Sequence, residues 1–120
     1  MNYDSVIETL MAVGAKYGFR PDVPLESEDY FRDLVSTYTG PQEGFANWLD
    51  EQVSKSFRSL VKPPEWLQSP EWPILEGRPM LFVGQIDMPY GSNPLLNHDA
   101  SYYVFLDYET GITRVVVQAD

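Results

Sequence analysis

The sequence predicts an α+β fold in which three N-terminal helices pack on a small antiparallel sheet formed by the C-terminal half. The hydrophobic period changes from helical to strand-like near Pro63, and all the helical segments precede all the strand segments. A length of 120 residues is typical of one domain. We therefore expect a single domain with a helical part over residues 1–62, a Pro/Trp-rich strap over 63–78 and a strand part over 79–120.

The first two helices are indicated by capping signals and by apolar residues at helical spacing. Ser5 and Glu8 match a capping box, and Gly18 is a natural end for the helix that follows. Ser27 can cap a second helix. The predicted apolar face of this second helix contains Phe31, Leu34, Val35 and Tyr38.

The third helix has the clearest helical period in the chain. Pro41 suits the first position of this helix, and the pair Pro63-Pro64 ends it. We expect Trp48 to lie in the core, where truncation to alanine would cost about 3–5 kcal/mol. The predicted buried face comprises Phe45, Trp48, Leu49, Val53, Phe57 and Leu60.

The strap contains the tripeptide Pro-Glu-Trp twice, at residues 64–66 and 70–72. Prolines fix the backbone angle φ and favour an extended chain that loses little entropy on folding. Because each tryptophan offers a large apolar surface, we expect Trp66 and Trp72 to be at least half buried and to fix the strap across the helix–sheet junction. The alternative is that the strap is a polyproline-type docking motif for a partner.

Three segments after the strap have the composition of strands. Met80–Ile86 is apolar on both faces apart from a Gly-Gln pair, and Ser101–Tyr108 is rich in aromatic and branched residues. Ile112–Gln118 follows the short turn Glu109-Thr110-Gly111, which predicts a hairpin with the preceding strand. We expect the polar Gln85 to hydrogen-bond to the backbone of a loop.

The charge balance limits the classes of partner. Eighteen acidic side chains face eight basic ones, which gives a formal net charge of −10. Nucleic acids and anionic membranes both attract positively charged proteins, so we expect neither as a partner. The acidity predicts either simple solubility or the electrostatic steering of a basic partner.

The sequence also bears on the cellular compartment. It contains no cysteine, which excludes disulfides and thiolate metal sites. Its N-terminus shows no signal-peptide pattern, and no apolar run approaches the roughly 20 residues that a membrane-spanning helix needs. We therefore expect a cytoplasmic protein.

The sequence shows no catalytic constellation. The single histidine, His98, precedes Asp99, and this pair is compatible with a general base or, together with Asp87, with a metal site. However, the spacing typical of metal ligands is absent, and the glycines form no phosphate-binding loop. We predict a protein that is not an enzyme and that binds no metal and no cofactor.

Three segments resemble the YwqG-like family of bacterial proteins: Pro70–Pro73, Gly77–Asp87 and Tyr103–Asp107. That family shows a Trp-Pro pair, a Gly-x-Pro entry into an apolar strand that ends in residues such as Gln-Ile-Asp, and a later aromatic strand. Domains of this type occur among proteins that protect bacteria from polymorphic toxins. The resemblance implies a scaffold and an immunity context, and it provides no catalytic residues.

Two functions remain open at this stage. The first is a cytosolic immunity protein that binds a cognate toxin domain, whose active-site surface would be basic, and occludes that active site. The second is a small ligand-binding or accessory domain with an apolar pocket lined by the tryptophans.

We predict the partner-binding surface on the long loop between the first two strands and on the hairpin turn. Long loops without their own secondary structure are frequently functional, and no lysine or arginine lies in the loop (Pro89 to Asp99) or in the turn (Asp107 to Glu109). The competing surface is the acidic second helix around Glu26, Glu28, Asp29 and Asp33. The candidate residues of the loop and the turn are Asp87, Tyr90, Asn93, His98, Asp99, Asp107, Tyr108 and Glu109.

Overall fold

The computed structural model describes residues 2–22, 25–89, 91 and 99–119. This described part contains three α-helices followed by strands in two antiparallel sheets, which confirms the predicted α+β class with its helices N-terminal. The elements are α1 (Tyr3–Tyr17), α2 (Leu25–Ser36), a 3₁₀ turn (Gln42–Gly44), α3 (Phe45–Ser56), β1 (Ile74–Leu75), β2 (Arg78–Pro79), β3 (Leu81–Met88), β4 (Ala100–Leu106) and β5 (Thr113–Ala119).

The capping residues of the first two helices differ from those predicted. Asn2 caps α1, since its side-chain oxygen accepts a hydrogen bond from the Ser5 N–H at 2.8 Å. The predicted end of α1 is confirmed, because Gly18 adopts a φ of 87° and donates its N–H to the Gly14 carbonyl. Ser27 is buried within α2 and does not cap it.

α3 is shorter than the predicted third helix. It spans Phe45–Ser56, and a 3₁₀ turn occupies the positions that follow Pro41. The chain leaves the helix early because its backbone pairs with β3: Phe82 donates its N–H to the Arg58 carbonyl at 2.9 Å, and Leu60 donates to the Phe82 carbonyl at 3.0 Å. Leu60, which was predicted on the buried face, is consequently 61% exposed.

The main sheet has the strand order β3-β4-β5, and all its neighbours are antiparallel. β4 and β5 pair without interruption, which confirms the predicted hairpin, and Gly111 in their connecting turn has a φ of +79°. β3 carries a bulge between Phe82 and Gly84. The strap was predicted to be an extended chain, but its end forms the short hairpin β1-β2, which runs to Pro79.

Trp72 lies at the centre of a hydrophobic core that joins the helices to the main sheet. It is 0% exposed, and its ring centroid lies 5.2 Å from that of Phe57 and 5.4 Å from that of Phe105. Its indole N–H donates to the Met80 carbonyl at 2.8 Å. Trp48, in contrast, was predicted in the core but is only partly buried and packs against the margin of the core.

Polar side chains of β3 and β4 hold the strap on the inner face of the main sheet. Gln85 accepts a hydrogen bond from the Glu65 N–H at 2.8 Å and donates to the Glu65 carbonyl at 3.0 Å, which confirms its predicted bond to a loop backbone. Tyr103 accepts a hydrogen bond from the Leu67 N–H at 2.8 Å. The side chain of each strand residue thus replaces the backbone partner that the strap lacks.

β5 and α1 complete the attachment of the strap. Gln118 accepts from the Gln68 N–H at 2.7 Å and donates to the Ser69 carbonyl at 2.7 Å. Trp66 is partly buried, as predicted, and its indole N–H donates to the Gly18 carbonyl at 2.5 Å. The strap is therefore bonded to all three strands of the main sheet and to the end of α1.

Candidate functional site

The structure separates the predicted loop residues from the predicted turn residues. Asp87 and Asp99 lie where β3 ends and β4 begins, whereas residues 107–109 follow the opposite end of β4. Because a seven-residue strand is roughly 20 Å long, the two groups do not form one compact patch. Three predicted residues lie outside the described part of the chain: Tyr90, Asn93 and His98.

Asp107 is a buried residue of the turn, with an exposure of 3%. Its carboxylate accepts hydrogen bonds from the Thr110 hydroxyl at 2.5 Å and from Arg78 at 3.1 Å. These bonds hold the pKa of Asp107 below its usual value, since they stabilise the ionised form. The predicted role of Asp107 in partner contact is therefore corrected, and only Tyr108 and Glu109 of this group face solvent.

Asp87 is bonded to its neighbours on the main sheet. It accepts hydrogen bonds from the Gln85 amide at 2.8 Å and from the Ser101 hydroxyl at 2.7 Å, and both lower the pKa of the carboxyl group. Asp99, just before β4, is partly buried. Asp87 therefore lies beside the strap, because Gln85 bonds both to this carboxylate and to the Glu65 backbone, and it is remote from the hairpin turn.

A groove of about 490 Å³ lies between α1 and α2. Its α1 wall carries Tyr3, Ile7 and Met11, which are spaced by four residues and remain exposed although they are apolar. Among the described residues that line this α1–α2 groove, Arg32 is the only cation. The apolar lining includes Val6, Ile7, Leu10, Met11, Phe31 and Val35.

The outer side of α2 carries an acidic stripe that consists of Glu26, Asp29 and Asp33. Arg32 connects this stripe with the groove, because it lies 3.2 Å from the Asp29 carboxylate and 3.1 Å from that of Glu28, which lines the groove. Four carboxylates thus face one cation on this helix, which leaves a net charge of −3. The competing surface that the sequence predicted is therefore continuous with the α1–α2 groove.

Most cations of the chain already form ion pairs, so few of them are left to compensate the surplus of carboxylates. Only Arg58 and Arg114 have no ion pair within the described residues, and the net charge of the whole chain is −10. The cations that form ion pairs with carboxylates are Lys16, Arg20, Arg32, Lys55, Lys62 and Arg78.

The strap tryptophans do not line the α1–α2 groove. Trp72 is enclosed by the core, and the ring centroid of Trp66 lies 4.4 Å from that of Tyr103. Within the described ranges, no three His, Asp or Glu side chains cluster in a way that could hold a metal ion. In the same part of the chain, no helix is both long and apolar enough to cross a bilayer.

Comparisons with protein families, with curated proteins and with solved structures gave no match for this chain. The resemblance to the YwqG-like family and the immunity context therefore stay predictions. The α1–α2 groove and the acidic stripe are identified from geometry and charge alone.

Proposed function

We propose that the protein is an inhibitor that binds a basic bacterial toxin domain and occludes its active site. The observation that carries this proposal is the α1–α2 groove, an exposed apolar surface beside a helix with a net charge of −3. An apolar centre with a polar, charged rim is the usual anatomy of a protein–protein interface. The partner that fits this surface presents apolar side chains within a basic region.

The charge of the whole chain supports the same kind of partner. A net charge of −10 attracts a basic protein over several ångströms and raises the rate of association. Toxins that act on nucleic acids or nucleotides need basic residues around their active sites, so an acidic inhibitor can compete for those residues. The resemblance of the strap and strands to the YwqG-like family supports a toxin as that basic protein.

The proposal is tested with the toxin domain encoded next to this protein's gene, by co-purification and by protection of growing cells. The double variant Glu26→Lys with Asp33→Lys reverses two exposed charges of α2 that form no ion pair within the described residues. We expect association to slow by about tenfold or more and to depend less on salt, with an unchanged melting temperature.

A matched variant separates the α2 surface from the predicted sheet surface. Asp99→Lys with Glu109→Lys introduces the same change of charge at the two ends of β4, and because Glu109 forms an ion pair with Arg78 at 3.1 Å, the melting temperature is measured together with binding. If this pair abolishes protection while the α2 pair binds like the unmodified protein, then the partner binds the sheet loops. If the neighbouring toxin binds neither protein nor variant, the inhibitor proposal fails.

The apolar centre of the groove has its own test. Met11→Asp places a charge on the α1 wall, whereas Leu60→Asp places one at an exposed apolar residue outside the groove. We expect Met11→Asp to accelerate dissociation by at least about tenfold, since apolar central contacts govern dissociation rates. Equal effects of the two variants would show that the groove is not the contact.

The second candidate is a binding domain for a small apolar ligand. The groove volume of about 490 Å³ lies within the range of ligand pockets, and its lining is mainly apolar. Titration with an apolar fluorescent dye tests this function. If the protein binds no toxin and Met11→Trp abolishes dye binding, the result favours the ligand-binding function. If Met11→Trp leaves dye binding unchanged, the result contradicts that function.

A further inference from the structure

The two edges of the main sheet differ in how they are protected. At the β3 edge, the backbone of residues 58–60 pairs with Phe82, and a bulge follows between Phe82 and Gly84. β5 pairs regularly with β4 along seven residue pairs, contains no proline and carries one charged side chain, Arg114. Among the described residues this edge is covered only at Ala119, whose carbonyl accepts a hydrogen bond from the Gln68 side chain. An edge strand with no bulge or proline and so little cover is a template for pairing with another chain.

The hydrogen bond that closes the hairpin shows which backbone groups of β5 face outward. Asp107 donates its N–H to the Ile112 carbonyl at 2.8 Å. Because inward and outward groups alternate in an antiparallel ladder, residues 114, 116 and 118 face β4, and residues 113, 115, 117 and 119 face away. The outward carbonyl of Ala119 accepts a hydrogen bond from the Gln68 side chain at 2.5 Å, in agreement with this alternation.

We propose that β5 pairs antiparallel with β5 of a second copy of this chain, about a two-fold axis at Val116. The two three-stranded sheets then form one sheet of six strands. A two-fold interface uses the same surface on both copies, so the strand must be complementary to itself. In this register, residue 115 lies opposite residue 117 of the second copy, and residue 114 lies opposite residue 118.

The outer face of the paired strands brings exposed valines together. Val115 and Val117 are each 54% exposed and lie on the side of the main sheet that faces away from the strap. The proposed register places Val115 directly opposite the second copy's Val117, and the two-fold axis repeats this contact. Cross-strand pairs of branched residues stabilise antiparallel sheets. The outward backbone groups of the same residues form the new hydrogen bonds.

The inner face brings together opposite charges. Arg114, which has no ion pair within the described residues, lies opposite the second copy's Gln118. In each copy the Gln118 amide donates to the Glu71 carboxylate at 3.0 Å. Because opposite Cβ atoms are about 5 Å apart, the long Arg114 side chain can reach the carboxylate of the second copy's Glu71. The two-fold axis gives two such ion pairs.

The charge distribution favours a second copy over a strand from a basic partner. Two chains of net charge −10 repel each other, so a contact between copies requires a surface without excess carboxylates. The strand Thr113–Ala119 contains no carboxylate. In the proposed pairing its one cation, Arg114, lies near the carboxylate of the second copy's Glu71, which belongs to the strap. A basic strand would instead be repelled by Arg114. This inference is independent of the identity of any toxin.

Sedimentation over a range of concentrations tests the pairing. We expect a dimer with a dissociation constant in the micromolar range, since two short strands bury less area than a standard interface. Val115→Pro removes an outward N–H while keeping the ladder with β4, and it should weaken the dimer by at least about tenfold. A protein that stays monomeric at all concentrations would overturn the proposal.

Two lysine variants distinguish edge pairing from the stacking of two outer faces. Val117 and Ile86 have similar exposures, 54% and 57%, and lie on the outer face of β5 and β3, respectively. We expect Val117→Lys to weaken the dimer and Ile86→Lys to leave it unchanged. The reverse result would mean that the faces stack, and it would overturn edge pairing.

A charge exchange tests the register. Arg114→Glu and Glu71→Arg each place like charges across the axis, and each should weaken the dimer by about tenfold. The double variant restores the ion pairs in reversed orientation, so its dissociation constant should return to that of the unmodified protein. Failure of the double variant to recover would contradict the proposed register, even if all three variants fold normally.

Discussion

Trp72 and Trp48 show why the size of a side chain does not determine its burial. Trp72 lies between residues of α3's C-terminal end and of the main sheet, and its N–H is satisfied by the Met80 carbonyl. Trp48 lies on the helical period of α3, but it packs beside Tyr38 and Phe45 at the margin of the core. The two tryptophans therefore contribute differently to stability.

We expect Trp72→Ala to lower the free energy of unfolding by about 3–5 kcal/mol, because it removes a fully buried ring and leaves a cavity. Trp48→Ala should cost only about 1–2 kcal/mol, as a partly exposed side chain loses less burial. Urea denaturation followed by circular dichroism measures both changes. A larger loss for Trp48→Ala than for Trp72→Ala would contradict the placement of the core.

Gln85 and Gln118 differ in how visible their roles are in the sequence. Gln85 interrupts an apolar run, so its hydrogen bond to loop backbone could be predicted. Gln118 stands near the end of a strand whose other polar residues, Thr113 and Arg114, are exposed, so a solvated glutamine is the ordinary expectation. It is buried instead because the strap covers that end of β5, and this packing has no local signal in the sequence.

At the scale of elements, the strap covers the main sheet, and its backbone N–H groups donate hydrogen bonds to side chains of the strands. Residues 65, 67 and 68 each donate a backbone N–H to a side chain of a different strand. The bonds of Leu67 and Gln68 are partly buried, so a lost acceptor should leave these N–H groups without a protein partner.

Amide hydrogen exchange can measure these bonds one at a time. Gln118→Leu should lower stability by about 1–3 kcal/mol and accelerate exchange most strongly at Gln68. Gln85→Leu should accelerate exchange most strongly at Glu65, with a smaller loss of stability because this bond is exposed to water, and each variant is the control for the other. Uniform acceleration along the whole strap in both variants would show that the strap opens as a unit and that the individual bonds are not local.

The order and type of the helices and of the strands of the main sheet could be predicted from the sequence, whereas their limits could not. The period of apolar residues indicates the type of each element directly. The end of α3 depends on the bond between Leu60 and Phe82, and two residues that far apart give no joint signal in the sequence. The N-cap of α1 could not be predicted because Asn2 and Ser5 are both residue types that cap helices well.

At the scale of the molecule, four carboxyl groups of the described residues have lowered pKa values. Their main hydrogen-bond donors are Arg20 for Asp22, Lys16 for Asp50, Gln85 for Asp87 and Thr110 for Asp107. A carboxyl group whose pKa is lower in the folded state binds protons more weakly there than in the unfolded chain. Its contribution to stability is therefore present above the unfolded pKa, about 4, and is lost as the pH falls through the folded value.

We expect the urea midpoint to fall between about pH 5 and pH 2, and Asp107→Asn to flatten this dependence. The comparison with the variant is needed because protonation also relieves repulsion among the surplus carboxylates, which acts in the opposite direction. Asp33→Asn is the control, since this carboxylate has no ion pair within the described residues. Identical pH profiles for Asp107→Asn and the unmodified protein would contradict the linkage.

Part of the candidate site could also be predicted from the sequence. The acidic second helix was recognised as a surface, because charged residues at helical spacing are readily seen. The groove was not predicted, although the sequence contained a signal for it. Tyr3, Ile7 and Met11 make the apolar face of α1 wider than the face that packs against the core, so part of it stays exposed. The separation of the loop from the hairpin turn followed from topology, since one antiparallel strand connects them.

The attachment of the strap by β5 imposes an order of events on a chain during its synthesis. Gln118 is 47, 49 and 50 residues away from the three strap residues that it binds, so the ribosome makes the helices and all three tryptophans before it makes this side chain. Contacts between such distant residues form late in folding. Until then, the strap that carries Trp66 and Trp72 is not fully attached to the sheet. We therefore expect a stage during synthesis at which the strap is open to chaperone binding and to aggregation.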